Sequence, residues 1–396
     1  MSSSTGGTGP RLSRSLLISV GLLYAASGLP FGIVHELVPT WLAVEGSSLE
    51  ELGLVTLVGL PWTLKLLWAP LVDRLSTSAR WIAGALVGVA AAVALTPHLS
   101  GPALMAVLVA IAFFSATQDI AIDGHTAAVT PDDQHGRVNG LRVAAYRAAM
   151  LLGGGGAVAL GDVLPWPVIF GGLGVLALGM AAWASRLPPA PREPTSLLEW
   201  TVGLKSWLLR RDSLAVFAFV LLFKLGDSAM YPMIKPFWLD SGMSVTELGL
   251  VSITIGTALS VTGALVGGEL TTRMGLFRGL WVLGGVQALS NLGYAAAAMA
   301  PSRWSLYGAS MVESFCGGLG TAAFLACLMR LCEGEQTATR FAALTAFVGL
   351  TRTLSGAASG YGASAFGYST YFAFTFLLAL PAFLLLPAAR RRLGAA

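Results

Sequence analysis

The chain has 396 residues, 55% of them hydrophobic and only 11% charged, with a mean hydropathy of +0.73. Soluble domains carry about 25% charged residues, so a water-soluble globular protein is excluded, and so is any sizeable soluble domain. The net charge of +4 comes from arginines flanking apolar runs, which marks membrane orientation and not a nucleic-acid surface.

Residues 1–13 read as a disordered tail. Twelve apolar runs follow, each of roughly the 17–25 residues that span hydrocarbon. They lie near 15–35, 51–71, 81–96, 102–122, 141–160 and 165–185, then near 213–233, 247–268, 279–299, 304–328, 341–362 and 368–387. The expected fold is an all-α polytopic membrane protein with one six-helix bundle over 14–186 and a second over 213–388. A linker over 187–212 joins them and a short tail, 389–396, ends the chain. The first run contains the small residues "AASG" but matches the eleven after it, so it is a span and not a cleaved leader. In the linker, prolines stop span six, and Leu197, Trp200, Leu204 and Leu208 share a face. An interfacial amphipathic helix and a plain connector both fit that stretch.

Basic residues orient the spans. Arg11, Arg14, Arg74, Arg80, Arg137, Arg186, Arg192, Lys205, Arg210, Arg211, Arg273, Arg278, Arg330, Arg340, Arg390, Arg391 and Arg392 fall at one side, whereas Arg303 stands alone in the loops of the other. The positive-inside rule puts both termini in the cytoplasm of a plasma membrane. Cys316, Cys327 and Cys332 sit in or just inside span ten, so no disulfide framework is implied. No metal or cofactor is expected.

Charged residues inside spans cost roughly 2.5–3.5 kcal/mol each on insertion scales, and are usually paired and functional. At about 1.5 Å per residue, Asp119 and Asp123 of span four reach the depths of Arg147 and Arg142 of span five, near the inner face. The expected pairs are Asp119 with Arg147 and Asp123 with Arg142, serving structure and inner gate, with Asp119 also a candidate for handling protons. Glu313 and Arg352 are expected to meet near the midplane. A carboxylate that neutralises on protonation can couple a proton gradient to motion; Glu313 and then Asp227 are the candidates, with static ion pairs as the alternative. Lys224 and Arg352 offer positive charge to an anionic solute, Glu36 is a further binding candidate on span one, and Trp62 one for stacking on a sugar. His35 and Glu36 are placed near the outer end of span one, and Lys65 and Lys235 at the inner and outer interfaces. Trp41, Trp62, Trp68 and Trp238 fit an aromatic belt.

The two halves repeat. "EELGLVTLVG" at 50–59 matches "TELGLVSITI" at 246–255, and at the same offset Asp73 falls on Glu269, each followed by an arginine, Arg74 or Arg273. Glycine-rich "GGGG" (153–156) and "SGAASG" (355–360) occupy matching places and permit close, sliding helix contact. Duplicated six-span halves resemble the major facilitator superfamily, in which rocking halves alternate access to a central site. The resemblance makes Asp73–Arg74 and Glu269–Arg273 a cytoplasmic latch.

"LVGLPWTLKLLWAPLVDR" (57–74), "SATQDIAIDG" (115–124), "LRVAAYRAAMLLGGG" (141–155) and "LLFKLGDSAM" (221–230) together resemble AmpG-type permeases of the peptide/acetyl-coenzyme A transporter group. That resemblance implies a proton-driven importer of the bacterial inner membrane acting on a small solute of muropeptide type; a monomer is expected. RhtX/FptX-type siderophore permeases and, more distantly, acetyl-coenzyme A transporters share the motif set. Asp119, Asp123, Lys224 and Asp227 carry over by motif. An integral-membrane enzyme is the rival class, but the chain has no second histidine after His35-Glu36 at zinc-protease spacing, no G-x-S-x-G elbow and no P-loop lysine. A non-transporting receptor on the same fold is the other rival.

Overall fold

The computed structural model describes residues 14–130, 135–188, 213–331 and 337–390. The expected tail at 1–13, the linker helix expected within 187–212 and the last residues of the tail at 389–396 lie outside the described residues. Among the described residues there are helices and turns and no strand. The first half comprises α1 (Arg14–Val44), α2 (49–75), α3 (Ser78–His98), α4 (Gly101–Val129), α5 (135–159) and α6 (Trp166–Ala184). The second comprises α7 (213–240), α8 (Val245–Met274), α9 (Leu276–Met299), α10 (Arg303–Leu331), α11 (337–366) and α12 (368–390). Each helix corresponds to one of the twelve apolar runs, and α12 continues to Arg390, past its expected end.

Eight described stretches are long and apolar enough to cross a membrane, the last of them, Leu344–Pro387, covering both α11 and α12. Helices α2, α5 and α9 are not among those eight stretches. The two repeated segments start identically. Ser48 accepts from the Glu51 backbone while the Glu51 side chain accepts from Ser48, and Ser244 and Glu247 do the same at the head of α8. Each reciprocal cap satisfies two amides that the helix itself leaves open. Gly367 at φ +72° separates α11 from α12, a left-handed conformation that a side chain would strain.

Several helices are broken where they meet the other half. Wide π turns interrupt α1 at Ile33–Leu37, α5 at Leu152–Gly156 and α8 at Leu248–Ile255; such turns recur at functional sites. In α7 the regular backbone lapses at Lys224 (φ −100°, ψ 3°).

The described chain ends, at residues 14, 188, 213 and 390, lie on one face of the bundle; the loops at 45–48, 160–165, 241–244 and 300–302 lie on the far face. The halves join along two crossings near the far face. α5 crosses α8, where a Cβ on Gly249 would come 2.5 Å from the Ala159 nitrogen and one on Gly155 would strike Thr254. α2 crosses α11, where Gly53 would meet the Gly360 nitrogen at 2.9 Å and Gly360 would strike the Leu49 carbonyl. The two glycine-rich stretches thus each face the partner half.

The apolar core follows the same division. Toward the far face one continuous cluster takes residues from both halves, including Leu29, Trp41 and Phe170 with Met230, Trp238 and Phe372. Toward the terminal face it splits in two. One cluster, around Leu23, Ile82 and Ile122, belongs wholly to the first half, and the other, around Phe219, Phe324 and Phe383, wholly to the second.

Candidate functional site

Where the shared core ends, a cavity of about 240 Å³ opens between the halves. Phe31 and His35 of α1, Gly59, Trp62, Thr63 and Lys65 of α2, and Thr345, Ala346, Gly349, Arg352 and Thr353 of α11 line it. The His35 ring stacks on Phe31 with centroids 3.9 Å apart, and its Nδ1 lies 3.2 Å from the Phe31 carbonyl one turn back. Trp62 stands edge-on to Phe31 at 5.5 Å and 5.4 Å from His35. The Arg352 guanidinium reaches across the seam to 6.0 Å from the Phe31 ring centre. The wall therefore combines aromatic faces with the cations Lys65 and Arg352, and no carboxylate lines it among the described residues. Such a wall suits a solute with a ring and an anionic group.

Trp62 and Arg352, expected as binding residues, both line this cavity. His35 and Lys65, expected at the membrane interfaces, lie in the cavity instead. A lysine deep in a glycine- and proline-broken span was the available signal for Lys65; for His35 it was the break after "GLP". Trp41 and Trp238, expected in an aromatic belt, are buried in the shared core.

The acids of α4 are held inside the first half. Ser27 donates to Asp119 at 2.5 Å, and the Lys65 ammonium lies 3.7 Å from the same carboxylate. Asp123 receives the Tyr24 hydroxyl at 2.6 Å and Arg142 at 2.7 Å, with the Arg142 guanidinium 4.4 Å over the Tyr24 ring. Asp123 and Arg142 thus meet as expected from their depths, but Asp119 does not pair with Arg147, which is exposed. Equal depth was not enough, because α5 packs on α1 and not on α4. Arg142 reaches Asp123 around Tyr24 of the intervening α1.

In the second half, Lys224 pairs with Asp227 at 3.2 Å and donates to Thr321 at 2.8 Å, while the Gln287 amide donates to Asp227. Lys224 therefore does not face the cavity as a free cation. The expected Glu313–Arg352 pair does not form. α10 packs on α8 and α9, whereas Arg352 on α11 faces α1 and α2 of the other half. Glu313 is half-buried and makes no ion pair among the described residues. Neither Glu313 nor Asp227 lines the cavity described above.

Glu36 is 6% exposed and is turned away from the cavity toward α7. There it pairs with Lys235 at 3.0 Å and accepts from the Tyr231 hydroxyl, and the Lys235 ammonium lies 4.4 Å over the Tyr231 ring. Lys235, expected at the outer interface, is 3% exposed. Sequence reasoning missed this cluster because its members come from different halves.

The expected latch is only partly in view. Glu269 and Arg273 pair within α8 at 2.6 Å; the side chains of Asp73 and Arg74 lie outside the described residues. At the far rim, Asp162 after α5 accepts the Thr246 amide at 2.7 Å, so one half caps the first turn of α8 in the other.

Residues 16–296 match the Major Facilitator Superfamily. The anhydromuropeptide permease of Escherichia coli strain K12 is 33% identical over 389 residues, covering 94% of this chain and 79% of that protein. Among solved structures, a bacterial homologue of the human lysosomal transporter Spinster, inward-facing and unoccupied, aligns with a TM-score of 0.78 at 15% identity over 96% of this chain and 98% of that one. A D-xylose–proton symporter aligns with a TM-score of 0.72 at 13% identity over 94% and 96%. At those identities the structural likeness speaks for the fold alone.

Proposed function

Because the chain belongs to the major facilitator superfamily and to its AmpG-type permeases, we propose that it imports a solute of the anhydromuropeptide kind across the bacterial inner membrane by proton-driven alternating access. It is a multi-pass membrane permease and not an enzyme. The observation that carries the finer reading is the cationic, aromatic-walled cavity between the halves, in a chain alignable over 94% of its length with an anhydromuropeptide permease. A muropeptide joins sugar rings to a peptide with carboxylates. Trp62 and Phe31 supply faces for the rings, and Arg352 and Lys65 supply charge for the carboxylates.

The terminal face is the cytoplasmic one on this reading, because the arginines crowd it. With one core shared by both halves at the far face and, among the described residues, separate cores toward the terminal face, we read the state as inward-open. Import then needs the far-face crossings to open and the terminal ends to close, bringing Asp73–Arg74 and Glu269–Arg273 into play as the latch. Asp123–Arg142 ties α4 to α5 through Tyr24 and keeps the first half rigid. Asp119, Asp227 and Glu313 are intramembrane carboxylates available for proton coupling, Glu313 foremost because it makes no ion pair in this state.

Purified protein in proteoliposomes tests this directly. Labelled anhydro-muropeptide should accumulate under an acid-outside pH gradient, stop accumulating with a protonophore, and be out-competed by unlabelled muropeptide but not by ferric siderophore or acyl-coenzyme A. Uptake that ignores the gradient, or competition by siderophore alone, sinks the assignment.

A further inference from the structure

The ion pairs among the described residues sort by where their members live. Lys65–Asp119 and Arg142–Asp123 lie inside the first half; Lys224–Asp227, Arg273–Glu269 and Arg303–Glu247 lie inside the second. Rigid-body rocking of the halves leaves each of these intact. Glu36–Lys235 differs, because it joins α1 of one half to α7 of the other and is buried in the far-face part of the seam.

The setting of Glu36 is built for this contact. The π turn at Ile33–Leu37 divides neighbours, with His35 lining the cavity and Glu36 facing α7. On the α5 side the chain presents glycines, and a Cβ on Gly154 would come 2.8 Å from the Glu36 side chain. The titratable and charged groups facing Glu36 are Lys235 and Tyr231 on α7, with Arg352 of α11 and Glu313 of α10 acting on the same tyrosine from further away and His35 adjoining on α1 itself. On α4, Asp119 is engaged by Ser27 and Lys65. When the far face opens, α1 and α7 part and Glu36 loses its one ammonium partner in a largely apolar surround. A carboxylate left without a partner there takes up a proton.

We propose that Glu36 is a proton-coupling residue of this carrier, its ion pair with Lys235 holding the far face shut and its protonation from the far side holding that face open. On reclosure the Lys235 ammonium returns and Glu36 gives up its proton, which leaves toward the side then open. This deepens the import reading and rests on it for the direction of net flow, but the gate itself is independent of which solute is carried.

The experiment reads the gate first and transport second. In a background with Cys316, Cys327 and Cys332 replaced by alanine, Thr254→Cys places a thiol in the α5–α8 crossing. Its labelling by an impermeant maleimide is normalised to Ser302→Cys on an exposed far-face loop. With native Glu36, normalised labelling should rise at least fivefold between pH 8 and pH 5.5. With Glu36→Gln it should be high and vary less than twofold across that range. Should Glu36→Gln fold poorly with Lys235 left alone, Glu36→Gln with Lys235→Met removes both charges and should give the same flat profile. A pH response in the folded variants equal to that of native protein overturns the proposal. In proteoliposomes, Glu36→Gln should lose at least tenfold of gradient-driven accumulation and the accompanying acidification of the lumen. A flat labelling profile together with full proton-driven accumulation likewise overturns it. If native protein carries no muropeptide but shows the pH-gated labelling that Glu36→Gln abolishes, the substrate reading fails and the gate stands.

Discussion

The seam near the far face and the region near the terminal face are made of different contacts. At the far face a single apolar core runs through both halves, glycine backbones cross at α5–α8 and α2–α11, Asp162 caps a helix of the partner half, and Glu36 meets Lys235. Toward the terminal face each half keeps its own core and its own ion pairs. Contacts inside a half hold its shape in every state. Contacts across the seam hold one state against the other, so they are where a substitution changes the cycle without unfolding the protein.

The largest effect is expected where backbone meets backbone. Gly360→Val would drive a side chain into the Leu49 carbonyl and the α2 backbone, neither of which can yield as a flexible side chain would. Overpacking of this kind costs roughly 1–3 kcal/mol or more, and here it falls wholly on the closed far face. Uptake should drop at least a hundredfold. Gly179→Val, at a glycine of α6 with open space around it, should leave uptake within twofold. Equal losses in both would mean that the crossing is no more sensitive than the lipid-facing surface.

Next comes the cavity wall. Trp62→Ala removes one aromatic face while leaving the Phe31–His35 stack in place. An aromatic contact is worth about 0.5–1.5 kcal/mol beyond its buried area, which is up to about tenfold in affinity. KM for the muropeptide should therefore rise about tenfold with kcat nearly unchanged, the pattern of a contact made equally in ground and transition states. A change confined to kcat would move Trp62 from binding to the conformational step.

A smaller effect is expected inside the first half. Asp123 and Arg142 are both partly exposed, and pairs of that kind contribute about 0–1 kcal/mol. Asp123→Asn keeps an acceptor for Tyr24 and should lower uptake no more than about threefold. Asp123→Arg alone, which sets two guanidinium groups against Tyr24, should do worse, and adding Arg142→Asp should recover most of the loss. Failure of the exchanged pair would show that position and not mere pairing matters.

These pairs also show what the amino-acid order carries and what it does not. The twelve helices were legible because each needs a long apolar run to exist in lipid. The twofold arrangement was legible because both halves retain Gly53 or Gly249 in one decapeptide pattern, the residues that cross the seam. The Asp123–Arg142 pair was legible from depth. Depth failed for Asp119–Arg147 and for Glu313–Arg352 on one physical ground, that α4 and α5, and likewise α10 and α11, follow each other in the chain without packing against each other. Glu36–Lys235 was invisible to the same reasoning, since nearly 200 positions and the whole linker separate its members. Lys235 between Pro232 and Pro236 gave no periodicity to follow.

The smallest effect is expected at Glu269–Arg273, and its smallness is informative. The two side chains are 60% and 73% exposed and sit one turn apart on α8. An exposed pair at that spacing stabilises by about 0.3–0.5 kcal/mol, so Glu269→Gln should move the melting temperature by no more than about 1 °C. Among the described residues this acid makes its ion pair within α8 and none across the seam. The state with the terminal face closed uses it across the seam, if Glu269 and Asp73 are the latch that their shared place in the repeat suggests. Glu269→Gln should then slow turnover two- to threefold at unchanged stability, and binding of muropeptide in the inward-open state should stay as it was. Turnover and stability falling together would make Glu269 an ordinary surface residue of α8 and leave closure of the terminal face to other groups.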